Sequence, residues 1–114
     1  MFVKIPSEIS VGGQKVSVAF KDRIESDKLG ECCIAEARID IAKTFNGREQ
    51  AYPSQLNTFY HELTHCILDT MGENELSGNE KFVSCFSSFL CEAMKNACFV
   101  EDNNTDNEIQ GDNR

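Results

Sequence analysis

Apolar and polar positions alternate through the first third of the chain. Ile9 opens the pattern, Val16, Val18 and Phe20 continue it, and Ala37, Ile39 and Ile41 are separated by Arg38 and Asp40. A period of two marks strands with one buried and one wet face. Val11-Gly12-Gly13-Gln14 separates the first two runs, and a Gly-Gly pair between such runs signals a hairpin. Residues 30–35 and 37–42 read as further strands. The pattern predicts a small twisted, mostly antiparallel sheet of three or four strands.

After a polar connection over 46–53 the period changes. Leu56, Phe59, Tyr60, Leu63, Cys66, Ile67 and Met71 recur at helical spacing, with Ser54 as the N-cap and Gly72 as the stop. A polar loop over 73–79 leads to a second helix marked by Phe82, Val83, Phe86, Phe89, Leu90, Ala93, Met94 and Ala97. That stripe is broad, which predicts deep packing. From Glu101 onward only Ile109 is apolar, too little to offset the entropy of ordering. One domain over 1–100 is expected, of the α+β class, followed by an acidic, disordered tail over 101–114.

Charge narrows the function classes. The 114 residues carry a net charge of −8, and the tail holds five acidic residues against one basic. Neither a basic run nor an aromatic platform among positive charges is present, so a nucleic-acid surface is not expected. No stretch approaches membrane-spanning length, and Met1 to Pro6 lack the apolar core of an export signal, which points to a cytoplasmic protein without membrane association. The six cysteines contain no CxxC pair. In a reducing compartment they are expected as free thiols, three of them along the second helix as small hydrophobes.

The chemistry concentrates in one segment. The chain's two histidines stand four residues apart with a glutamate directly after the first: His61-Glu62-Leu63-Thr64-His65. On a helix, residues at i and i+4 share a face, so both imidazoles can reach one metal ion while Glu62 can reach a water on it. This HExxH spacing is that of zinc metallopeptidases, whose catalytic Zn2+ takes three protein ligands. No third histidine exists, so the third ligand is a carboxylate or a thiolate. Glu80 is the best candidate, because it opens the second helix ahead of Val83, Phe86 and Leu90. Glu73 and Glu75 on the loop are alternatives with less fixed geometry. Glu92 lies too far along the helix, and Cys66 is rotated about 100° from His65 toward the core. Tyr52 and Tyr60 are conceivable oxyanion donors, though a tyrosine near an apolar helical face is more often core.

With HExxH, Glu80 followed by Val83 and Phe86, Lys4-Ile5-Pro6, the Val11-Gly12-Gly13 turn, Gly30-Glu31 and Arg38 to Ala42 in view, the chain resembles the minigluzincins and the related ImmA/IrrE-type metallopeptidases of phages and mobile elements. The resemblance covers residues 1 to about 98. It implies a minimal zincin-like fold, zinc on His61, His65 and Glu80, Glu62 as general base, and a sheet edge, here residues 37–42, that aligns an extended substrate. Some members of that group are latent through a C-terminal segment; the polar tail of this chain departs from that pattern.

The function expected from these residues is hydrolysis of peptide bonds in a protein or peptide substrate, with Glu62 accepting the proton of a zinc-activated water. The alternatives are a catalytically silent, zinc-stabilised interaction module and a zinc hydrolase of another amide. Glu62 separates the first alternative from the enzyme, since a purely structural site needs no base beside the metal.

Overall fold

The computed structural model describes residues 4–100; the expectation of a disordered tail falls on residues outside that range. Two strands, β1 (Glu8–Val11) and β2 (Gln14–Lys21), form the anticipated hairpin, pairing Ile9 with Val16 and Val11 with Gln14. Gly12 and Gly13 both hold positive φ, 62° and 83°, the geometry of a tight turn that follows the twist of paired strands. A Cβ on Gly12 would also lie 2.6 Å from the Thr70 methyl, so the turn fits closely against the first long helix.

After β2 the chain forms β3 (Gly30–Cys33), a 3-10 turn (Ile34–Glu36) and β4 (Arg38–Ala42). The sheet order is β1-β2-β4-β3, with β2 and β4 parallel and the other two pairs antiparallel. The fold is therefore α+β with a mostly antiparallel sheet, as the alternation predicts. Two details of the prediction change. Residues 38–42 are not the sheet edge, because β3 pairs on their far side; the edge strand beside the helices is β3. Nor is one face of β4 wet: Ile39 and Ile41 are fully buried and Asp40 is only 4 % exposed. The Asp40 carboxylate accepts from the Arg38 guanidinium Nε at 2.9 Å, which offsets part of its burial.

A second ribbon, β5 (Thr44–Phe45) with β6 (Arg48–Glu49), leads into the 46–53 connection and turns at Asn46-Gly47 in positive φ. Helix α1 (Tyr52–Met71) follows. Ala51, not Ser54, is its N-cap, and Pro53 stands in the first turn, where its missing N–H costs no helical hydrogen bond. Gly72 ends α1 in the left-handed region. Leu56, Phe59, Leu63 and Cys66 pack with Val16, Val18, Ile39 and Ile41 in the core.

The expected loop over 73–79 contains a short helix, α2 (Asn74–Ser77), and α3 spans Glu80–Lys95. The Asn79 carboxamide oxygen caps α3 by accepting from the Phe82 N–H at 3.1 Å. Deep packing of α3 is not found. Only Val83, Ser87 and Cys91 are buried, while Phe86 and Phe89 are 47 % and 72 % exposed. Of the thiols expected along that helix, Cys91 is in the core and Cys85 and Cys98 are exposed; all six cysteines are free. No helix among the described residues is long and apolar enough to cross a membrane.

Candidate metal centre

Helix α1 carries His61 and His65 one turn apart on a shared face, their rings edge-to-face with centroids 5.0 Å apart. Helix α3 begins where that face opens, so its first residue meets both rings. Glu80 Oε1 lies 3.4 Å from His61 Nε2, and Glu80 Oε2 lies 3.3 Å from His65 Nε2. One donor atom from each of the three residues falls within 4.8 Å of the others, close enough to hold a metal ion. Among the described residues Glu73 and Glu75 belong to no such cluster. Cys66 is 1 % exposed in the core, as its rotation from His65 predicts.

A residue that the sequence reading missed orients one ligand. His65 Nδ1 is 3.0 Å from the Ser77 hydroxyl, which the short helix α2 holds in a buried position. With Nε2 turned toward the cluster, a neutral ring carries its hydrogen on Nδ1 and donates it to Ser77 Oγ. Nothing in the polar run from 73 to 79 marks Ser77 beforehand. Only the turn of α2 brings it back to α1.

Glu62 faces the edge strand. Gly30 of β3 passes so near that an added Cβ would sit 2.5 Å from the Thr58 methyl carbon and 2.9 Å from Glu62 Cγ. Burial first, then the charges of Glu80 and Glu31, raise the Glu62 carboxyl against the pull of Lys28 to about 7. Burial, reinforced by the neighbouring His65, lowers the His61 imidazole against the pull of Glu80. Both effects favour neutral groups in the metal-free site, and a neutral imidazole is the form that ligates a metal.

Two clefts meet at His61 and Glu62. One, of about 350 Å³, runs over His65, Glu80, Asp69 and Cys32; the other, of about 260 Å³, is bounded by Leu29, Asn57 and Thr58. Lys28 and Gly30 line both. Lys28 is the one lysine or arginine that lines these two clefts, and nothing in the sequence, where it is one lysine in a polar loop, marks it beforehand. A larger cavity of about 410 Å³, between Asp22, Lys43 and Gln55, shares no residue with either cleft.

Neither tyrosine belongs to the cluster. Tyr60 is buried edge-to-face against Phe59, and the Tyr52 hydroxyl accepts from the Ile5 N–H at 2.9 Å. Cys32 lines the larger cleft, but burial and the adjoining Cys66 push its thiol far above its ordinary range, which keeps it protonated. Comparison with models of protein families, with curated proteins and with solved structures yields no match.

Proposed function

We propose that the chain is a zinc-dependent metallopeptidase of the gluzincin type, with His61, His65 and Glu80 as ligands and Glu62 as general base. The spacing between Glu80 and the two imidazoles carries this reading. Separations of 3.4 and 3.3 Å are longer than a good N–H···O hydrogen bond. They match the edge of a zinc tetrahedron, since two donors each ~2.0–2.1 Å from one tetrahedral ion stand about 3.3 Å apart. Two neutral imidazoles and one carboxylate are also a donor set that zinc accepts, and Ser77 supplies the outer contact that fixes a ligating histidine.

A zinc ion held there would polarise a peptide carbonyl and acidify water. The remaining steps fall to the chain's own groups. Glu62 stands outside the ligand cluster and lines both clefts beside it, so its carboxylate is free to take up and release a proton there. It accepts the proton of the attacking water and passes it to the departing amine. The open cleft beside β3 accommodates an extended peptide, with Lys28 at its rim. The resemblance to minigluzincins agrees with this assignment of roles.

The test is hydrolysis of a mixed peptide library by the zinc-loaded chain and by Glu62→Gln. The proposal requires equal zinc content and hydrolysis by the parent alone. Equal hydrolysis by both removes Glu62 as the base. Zinc binding with no hydrolysis by either chain favours a metal that only ties α1 to α3.

A further inference from the structure

The two clefts that meet at His61 and Glu62 differ in charge. Beyond the residues they share, the larger adds the carboxylates of Glu31, Asp69 and Glu80. The smaller adds only Leu29, Asn57 and Thr58, none of them charged. Glu80 faces the two imidazoles, which leaves Glu31 and Asp69 to meet whatever lies in the larger cleft. In the smaller cleft the cation is Lys28, and Glu62 is the one carboxylate beside it. On a chain with net charge −8, an anion entering there meets a positive group without a wall of like charge behind it.

The backbone around Lys28 sets it at this junction. Just before it a tight turn closes, with the Asp27 N–H donating to the Ile24 carbonyl at 3.1 Å and with Ser26 and Asp27 both at positive φ. Just after it the Leu29 carbonyl accepts from the Ala42 N–H at 2.9 Å, which ties the chain to β4 as β3 begins. The Lys28 ammonium is 4.0 Å from Glu31 Oε2, the outer limit of an ion pair, and both side chains are half-exposed. A pair of that kind contributes little, so Lys28 exchanges Glu31 for a bound carboxylate at small cost.

Resting on the proposed metallopeptidase function, we infer that Lys28 is a specificity-determining residue that binds a carboxylate of the peptide substrate. The preferred peptides carry an acidic group on the side of the scissile bond that lies in the cleft of Leu29, Asn57 and Thr58. An aspartate or glutamate side chain and the peptide's own C-terminus offer Lys28 the same acceptor. On the other side of the bond, Glu31 and Asp69 repel acidic residues and favour basic ones. The site therefore reads a peptide whose charge changes sign across the bond that is cut.

Steady-state cleavage of a peptide series by the zinc-loaded full chain tests the inference. The series places Glu, Gln or Lys at each position around the scissile bond, and every peptide is made with a free and with an amidated C-terminus. The parent is expected to favour Glu over Gln on one side of the bond by about fivefold to tenfold in kcat/KM, mainly through KM, and less so at high ionic strength. A preference that amidation alone removes assigns the carboxylate to the C-terminus. Lys28→Met should abolish the preference, and Lys28→Glu should turn it toward Lys at the same position. Glu31→Gln separates specificity from structure: it releases Lys28 from Glu31 and should strengthen the preference for Glu. A lysine that only steadies its loop by pairing with Glu31 gives Lys28→Met and Glu31→Gln the same effect, which contradicts the inference. Equal cleavage of Glu and Gln peptides by the parent, or a preference that survives Lys28→Met, overturns the inference and leaves the proposed function standing. Cleavage of no peptide by the parent removes the proposed function and the inference with it.

Discussion

Gly30 and Glu62 share one slot: the edge strand crosses α1 where residue 30 has no side chain, and a methyl there would fall 2.9 Å from the glutamate Cγ. A real Cβ contact is never that short, so Gly30→Ala must move the strand or the carboxylate. On the proposed function the variant keeps its zinc and loses about tenfold to a hundredfold in kcat/KM, the effect of displacing a catalytic group by ~1 Å. A purely structural defect lowers stability without altering the pH profile; a displaced base alters the profile. Adding Thr58→Ser removes the nearer obstruction, the methyl carbon 2.5 Å away, and should recover part of the rate.

Ser77 offers a second test of preorganisation. Ser77→Ala leaves all three ligands in place but takes away the acceptor for His65 Nδ1. Zinc affinity, read by competition with a chelator, should fall about 10–100-fold. Unchanged affinity would show that α2 contributes nothing to the site.

The third ligand is tested by ranking carboxylates. Glu80→Ala should all but abolish zinc binding at micromolar metal, whereas Glu73→Ala and Glu75→Ala should bind as the parent does. The reverse ranking in the same titration would move the third ligand to the segment around α2.

Glu62 also links stability to pH. Its carboxyl is raised from 4.5 to about 7 in the folded chain, so the folded state holds that proton more tightly than the unfolded state. The resulting stability is fully present below the unfolded value and is lost as pH rises through 7, by up to about 3 kcal/mol. His61, lowered by burial and by His65, acts in the opposite sense. The difference between the parent and Glu62→Gln isolates the glutamate: between about pH 5 and pH 7.5 the metal-free parent should lose more in Tm than the variant. Zinc favours the carboxylate form, so loading should flatten the parent's slope. Parallel curves for the two metal-free proteins would contradict the assigned burial of Glu62.

What could be read from residues alone was local. The four-residue step from His61 to His65 places two rings on one face whatever surrounds them, and Gly12-Gly13 specifies its turn within four residues. Asn46-Gly47 carries an equally local turn signal, but the strands beside it are only two residues long, too short to show an alternation. Strand order is different in kind. Arg38 to Ala42 alternate like a strand with one wet face, and only the pairing of β3 on the far side buries Asp40 and shifts the edge to Gly30–Cys33. Likewise, the apolar stripe of α3 records hydrophobicity but not which half of it α1 covers; Val83 is buried and Phe89 open. Glu80 could be nominated from its place at the head of a helix. Ser77, Gly30 and Lys28 became visible at the site only through contacts between elements distant in sequence.

The proposed function rests on zinc held by two imidazoles and a carboxylate. X-ray absorption at the zinc edge of the purified, zinc-loaded full chain measures this directly. One zinc per chain is expected, with only nitrogen and oxygen neighbours at about 2.0–2.1 Å, two of them imidazoles. A sulfur shell at about 2.3 Å would place Cys32 or another thiol on the metal, and a chain that holds no zinc at all would remove the metal centre itself.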